Sequence, residues 1–150
     1  MITTEQIKQL REETGLSIMQ CQKALEQAGG DRAKAIELLK EKGAEIASKK
    51  GDRTLGAGVV SAYVHAGDTV GAMIELMCET DFVAKNPEFK STARDIAMHV
   101  AAMKPVDVGE LLTQPFIKGT GETIGDIING TVQKFGERTE IGQFVRFSIN

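Results

Sequence analysis

Between Val70 and Cys78 the chain alternates in a way only one structure satisfies. Val70, Ala72, Ile74, Leu76 and Cys78 fall at every second position. Successive strand side chains point to opposite faces, so this is a strand with one buried face. Val60, Ala62 and Val64 alternate with Ser61 and Tyr63 just before it, and Ala66-Gly67-Asp68 supplies a turn, which makes a hairpin. A last alternation closes the chain. Ile141, Gln143, Val145, Phe147 and Ile149 are expected inward, with Gly142, Phe144, Arg146 and Ser148 between them. Helices fill the interval. Asn86 can cap one that has Pro87 in its first position and Phe89, Ala93, Ile96, Ala97, Val100 and Met103 on its apolar face, ending at Lys104-Pro105. Thr123 can cap another that buries Ile124, Ile127, Ile128, Thr131 and Phe135 and stops at Gly136. The pattern predicts a small antiparallel sheet covered by helices on one face.

The first 43 residues have a different texture. Thr3 with Gln6 and Ser17 with Gln20 are capping boxes, and Leu16 can staple onto Cys21. Asp31 can cap a third helix. Gly15, Gly29-Gly30 and Gly43 are the expected stops. Ile7 and Leu10, then Ile18, Cys21, Leu25 and Ala28, then Ala35, Leu38 and Leu39 form the apolar stripes. Helices near ten residues are too short to be stable alone, so the three must pack as a bundle. Lys49-Lys50-Gly51-Asp52-Arg53 is polar and Gly56-Ala57-Gly58 flexible, which reads as a linker. Lys49-Lys50 reads as solvated linker first and a partner contact second. The expected fold is α+β: a three-helix head over residues 1–43, a linker over 44–57 and a core over 58–150.

Several functions are disfavoured. The net charge of -3 leaves no basic excess to neutralise phosphates, so direct nucleic-acid binding is not expected. No stretch approaches the ~18 apolar residues of a membrane span, and Met1-Ile2-Thr3-Thr4-Glu5 lacks a basic leader; the expected setting is the cytoplasm. Cys21, Cys78, His65 and His99 lack metal-ligand spacing, so no metal site is expected. Gly119-Thr120-Gly121 has no phosphate-binding lysine after it. Cys78 with His99 could form a thiol–imidazole pair, but Cys78 falls on the buried strand face and His99 on the polar side of its helix. No catalytic residue and no cofactor are expected.

One segment asks for a function. Glu79-Thr80-Asp81-Phe82-Val83-Ala84-Lys85-Asn86 joins the long strand to the long helix. Asp81 resists burial without a partner for its charge, while Phe82 beside it favours burial. Two arrangements satisfy both residues. In one, Thr80 or Asp81 caps the helix start and Phe82 folds back onto the core; spacing alone favours this. In the other, a rigid corner presents Asp81 and Phe82 outward as a binding wedge.

Thr80-Asp81-Phe82-Val83-Ala84-Lys85-Asn86 resembles the Thr-Asp-Phe-Val-Ala signature of the elongation factor Ts family. Ile7 to Gly15, Ile18 to Leu25 and Gly30-Asp31 with Lys34-Ala35-Ile36 resemble that family's ubiquitin-associated-type head. Gln114-Pro115-Phe116-Ile117, Phe135-Gly136-Glu137 and Phe144-Val145-Arg146-Phe147 resemble its close. The three matches run in the family's order over most of the chain. The resemblance implies a non-enzymatic guanine-nucleotide exchange factor. Its head would dock on elongation factor Tu through the region of Ile18 and Met19. Thr80, Asp81, Phe82 and Val83 would disturb the partner's magnesium and phosphate site so that GDP leaves. Gln22 and Gly142-Gln143 depart from the basic residues the family carries there. The run from Met103-Lys104-Pro105 to Gln114-Pro115-Phe116 is abbreviated, and short members complete themselves by forming homodimers. The rival reading is an adaptor that binds other proteins through its head and dimerises through its core.

Overall fold

Both capping boxes form: Thr3 and Ser17 accept the N–H of Gln6 and Gln20, whose side chains reach back to the cap backbone. Each such cap stabilises its helix by about 1 kcal/mol. They begin α1 (Thr4–Thr14) and α2 (Ile18–Gln27), and Asp31 caps α3 (Arg32–Lys49). Leu10, Leu16, Cys21, Ala24, Leu25, Ala28, Ala35 and Leu39 close the core of the head. The computed structural model describes residues 1–149, so Asn150, the last residue of the expected core, lies outside the described residues.

Gly43 does not stop α3, which runs on to Lys49. The reason is packing. Gly43 is buried against α7 (Ile124–Phe135), and a Cβ there would stand 2.7 Å from Oε1 of Gln133 and 3.4 Å from the carbonyl of Asn129. The glycine serves close helix approach, not a left-handed cap, and α3 ties the head to the core across this contact. The first residues of the expected linker are therefore helical.

Among the described residues the sheet has the order β1-β2-β3, all antiparallel: β1 (Ala57–Val64), β2 (Val70–Cys78) and β3 (Glu140–Ser148). One face packs on α5 (Pro87–Met103) through Ala72, Ile74, Leu76 and Cys78 against Phe89, Ala93, Ile96, Ala97 and Val100. Asn86 caps α5, Pro87 opens it, and Lys104 ends it in the left-handed conformation. The long strand therefore reads as expected. Its two neighbours do not. On β1 the half-buried set is Ala57, Val59, Ser61 and Tyr63, while Val60, Ala62 and Val64 face out. On β3 a bulge lies between the pairs Leu76–Ile141 and Ile74–Phe144. The extra residue flips the remainder of the strand: Ile141 points inward, but Phe144, Arg146 and Ser148 are the half-buried set thereafter. Val145, Phe147 and Ile149, expected inside, are exposed.

His99 is also a correction. It is fully buried, not on the polar side of α5. Its Nδ1 accepts the backbone N–H of Ile117 at 3.1 Å and its Nε2 lies 2.9 Å from Oε1 of Gln114. Since Nδ1 accepts, Nε2 carries the proton and donates. The ring pins the stretch after α6 (Val108–Thr113) onto α5. Burial holds the imidazole below its ordinary pKa, and the Gln114 bond offsets this in part. In the unfolded chain the ring binds a proton near its ordinary value of about 6.5, before the folded ring does. Stability is then lost as pH falls below that value and is regained as pH rises through the window. Urea unfolding at pH 5.5 and 7.5 is expected to give a lower midpoint at 5.5. In His99→Gln that difference should shrink; an undiminished difference assigns the effect elsewhere.

Candidate functional site

β2 ends at Cys78, paired with Ala57, and the chain turns into the single helical turn α4 (Asp81–Ala84). Thr80 stands at the N-cap with extended backbone, but its side chain makes no capping bond. Its hydroxyl instead donates to Oε2 of Glu137 at 2.6 Å. Neither Thr80 nor Asp81 folds Phe82 onto the core. Val83 and Ala84 are the buried residues of this turn, while Asp81 is exposed and Phe82 is 89% exposed. The outward arrangement is therefore the observed one. The four predicted residues divide by direction: Asp81 and Phe82 face solvent, Thr80 is held sideways by Glu137, and Val83 anchors the turn from beneath.

Glu137 was not singled out from the sequence as a site residue. It follows Gly136, whose left-handed conformation ends α7. Oε1 of Glu137 accepts the backbone N–H of Glu79 at 3.1 Å and of Thr80 at 3.0 Å. In the other direction, the Glu79 carboxylate accepts the N–H of Arg138 at 2.5 Å. Arg53 approaches Glu79 at 3.5 Å, and Arg138 donates to the Arg53 carbonyl at 2.5 Å and to Glu140 at 2.7 Å. Two carboxylates thus staple the β2–α4 corner to the α7–β3 turn, with Arg53 from the segment after α3 on the same cluster. Beneath it the thiol of Cys78 donates to the Thr80 carbonyl at 3.3 Å. Burial first, and the negative charge of Glu137 second, push that thiol's pKa up, which keeps it protonated and unreactive. The imidazole of His99 has both nitrogens engaged with Gln114 and Ile117, so the thiol–imidazole pair is not assembled.

Ile18 and Met19 open α2 and are both exposed, the second almost fully, on the surface of the head. They project from the first turn of a helix whose opposite face is fixed by Cys21, Ala24 and Leu25. Among the described residues no helix is long and apolar enough to cross a membrane.

The family model described as Elongation factor TS matches residues 79–150, which begins at the corner and includes Glu137. Relatives named Elongation factor Ts align over nearly the whole chain. That of Carboxydothermus hydrogenoformans is 40% identical over 194 positions, covering 99% of this chain and 89% of its own. That of Rubrobacter xylanophilus is 40% identical, covering 97% of each chain. That of Thermodesulfovibrio yellowstonii is 39% identical, covering 99% of this chain and 96% of its own. A head of three capped helices, a helix-backed sheet and an outward Asp81-Phe82 corner thus meet full-length similarity well above the level at which fold alone is shared: the chain belongs to the elongation factor Ts family, and its role is in translation elongation.

Proposed function

We propose that this protein binds elongation factor Tu in its GDP-bound state and accelerates GDP release. The observation that carries the reading is the outward Phe82 on a turn anchored beneath by Val83 and Ala84 and held at its start by the Thr80–Glu137 bonds. A large apolar ring kept in water is an interaction site in waiting, and a fixed backbone lowers the cost of using it. Asp81 beside it brings a negative charge that competes for the environment of the partner's magnesium and phosphates. Ile18 and Met19 support a second contact through the head. The protein does no covalent chemistry in this scheme and takes no cofactor. It stabilises the nucleotide-free partner, and linkage then requires that GDP weaken the factor's binding by the same ratio as the factor weakens GDP binding.

The outward sheet face supports a homodimer. Val60, Val64, Met73, Val145 and Phe147 are exposed apolar residues of one sheet face. A patch of that kind is uncommon on a monomer. The deciding experiment is release of a fluorescent GDP analogue from elongation factor Tu under excess unlabelled GDP. Catalytic amounts of this protein should speed it many-fold. A folded protein that leaves the rate unchanged overturns the exchange-factor reading.

A further inference from the structure

We propose that Glu137 is a positioning residue for partner recognition: its carboxylate fixes the turn that presents Asp81 and Phe82. This rests on the exchange-factor reading and goes beyond it to a residue 55 positions away from Phe82 in the chain. Phe82 is almost wholly in solvent, so no packing of its own ring holds it. Its place is set by the backbone of α4. That turn is four residues long, with Thr80 accepting from Ala84 at 3.2 Å and Asp81 from Lys85 at 2.9 Å. One helical turn does not persist unaided. Val83 and Ala84 secure its inner side. Its leading side lies beyond the last β1–β2 ladder pair, and there the N–H groups of Glu79 and Thr80 and the Thr80 hydroxyl all converge on one carboxylate. Hydrogen bonds to an ionised acceptor are roughly twice as strong as neutral ones. The Thr80 hydroxyl is spent on Glu137 and does not cap α4, so the start of the turn is fixed from outside, through the Glu79 and Thr80 backbone that leads into it. The reciprocal bond from Arg138 to Glu79 keeps Glu137 itself in register. Loosening this clamp leaves the wedge residues present but disordered, and binding then costs the entropy of ordering them.

The test uses the full chain and four variants: Glu137→Ala, Glu137→Gln, Phe82→Ala and the double Glu137→Ala/Phe82→Ala. Exchange on elongation factor Tu is read as kcat/KM. The chain has no tryptophan, so a second set of variants, Phe82→Trp alone and combined with Glu137→Ala or Glu137→Gln, carries a single local reporter whose fluorescence anisotropy decay reads the corner directly. Glu137→Ala should lower kcat/KM roughly ten-fold or more and add a fast anisotropy component at position 82. Glu137→Gln keeps one acceptor oxygen and should restore most of both. The double variant should lose clearly less than the product of the two single losses, because much of what Glu137 positions is the ring that Phe82→Ala has already removed. Losses that multiply would mean Glu137 touches the partner itself, which overturns the positioning role. Unchanged exchange and anisotropy in Glu137→Ala would overturn it too. If the corner loosens in Glu137→Ala while Phe82→Ala exchanges normally, it is the wedge reading that fails, and this use of the clamp with it.

Discussion

Phe82→Ala is expected to cut the acceleration of GDP release by thirty-fold or more while leaving the melting temperature within a degree or two of the parent. The two halves of this result have separate causes. A ring that is 89% exposed contributes little to folding, and surface substitutions of that kind stay within about 0.5 kcal/mol. An aromatic anchor at the centre of a binding site, in contrast, costs about 2 kcal/mol or more when truncated, which is about thirty-fold in affinity. Phe89, one turn into α5, gives the internal contrast. It is fully buried and stacks edge-on with Phe135 at 6.0 Å, so Phe89→Ala should cost about 3–5 kcal/mol of stability. Stopped-flow release of the GDP analogue and a thermal melt on both variants give the comparison. Phe82→Ala melting as low as Phe89→Ala would mean the ring packs in the core, and normal exchange would remove the wedge.

What the sequence made legible was whatever depends on neighbours in the chain. The caps at Thr3, Ser17, Asp31, Asn86 and Thr123 and the left-handed stops at Gly15, Lys104 and Gly136 are local hydrogen-bond problems with local solutions, and each stands where the residue pattern put it. The alternation of β2 was legible because one face meets α5 along its whole length. The misreadings share a different cause. Val60 and Phe147 are apolar, and a periodic pattern of apolar residues is read as inward, yet the same residues serve equally to cover an outer face. The bulge beside Ile141 inserts one residue and reverses the strand's sense, with only Gly142 to mark it. Gly43 has the local signature of a helix stop, and the contact that gives it a different use, Gln133 on α7, lies ninety residues away. Glu137 was missed for the same reason: its three donors are at Glu79 and Thr80, and a carboxylate after a helix-ending glycine is an ordinary surface residue until the fold brings them together. The family resemblance supplied the corner's outward direction, which spacing alone did not.

Phe147→Arg should convert a micromolar dimer into a monomer. The register puts Ala62, Met73 and Val145 in one row across the outer face and Val64, Gly71 and Phe147 in the next. Gly71 leaves the middle of the second row low, so Val64 and Phe147 stand up on either side of a shallow trough. Two such faces can interdigitate as packed sheets do, about 10 Å apart. The pairing would be isologous, so each substitution enters the interface twice. Burying a guanidinium with no partner costs at least about 2 kcal/mol per copy, hence about 4 kcal/mol per dimer and about a thousand-fold in the dissociation constant. Sedimentation equilibrium on the parent should fit a dimer at micromolar concentration, and the variant a monomer of 16.2 kDa. The parent's melting temperature should rise with protein concentration, because the dimer binds only folded chains, and the variant's should not. A parent that sediments as a monomer at that concentration sinks the dimer outright. A variant that remains a dimer moves the interface off this face and leaves the apolar rows to a partner other than a second copy of the chain.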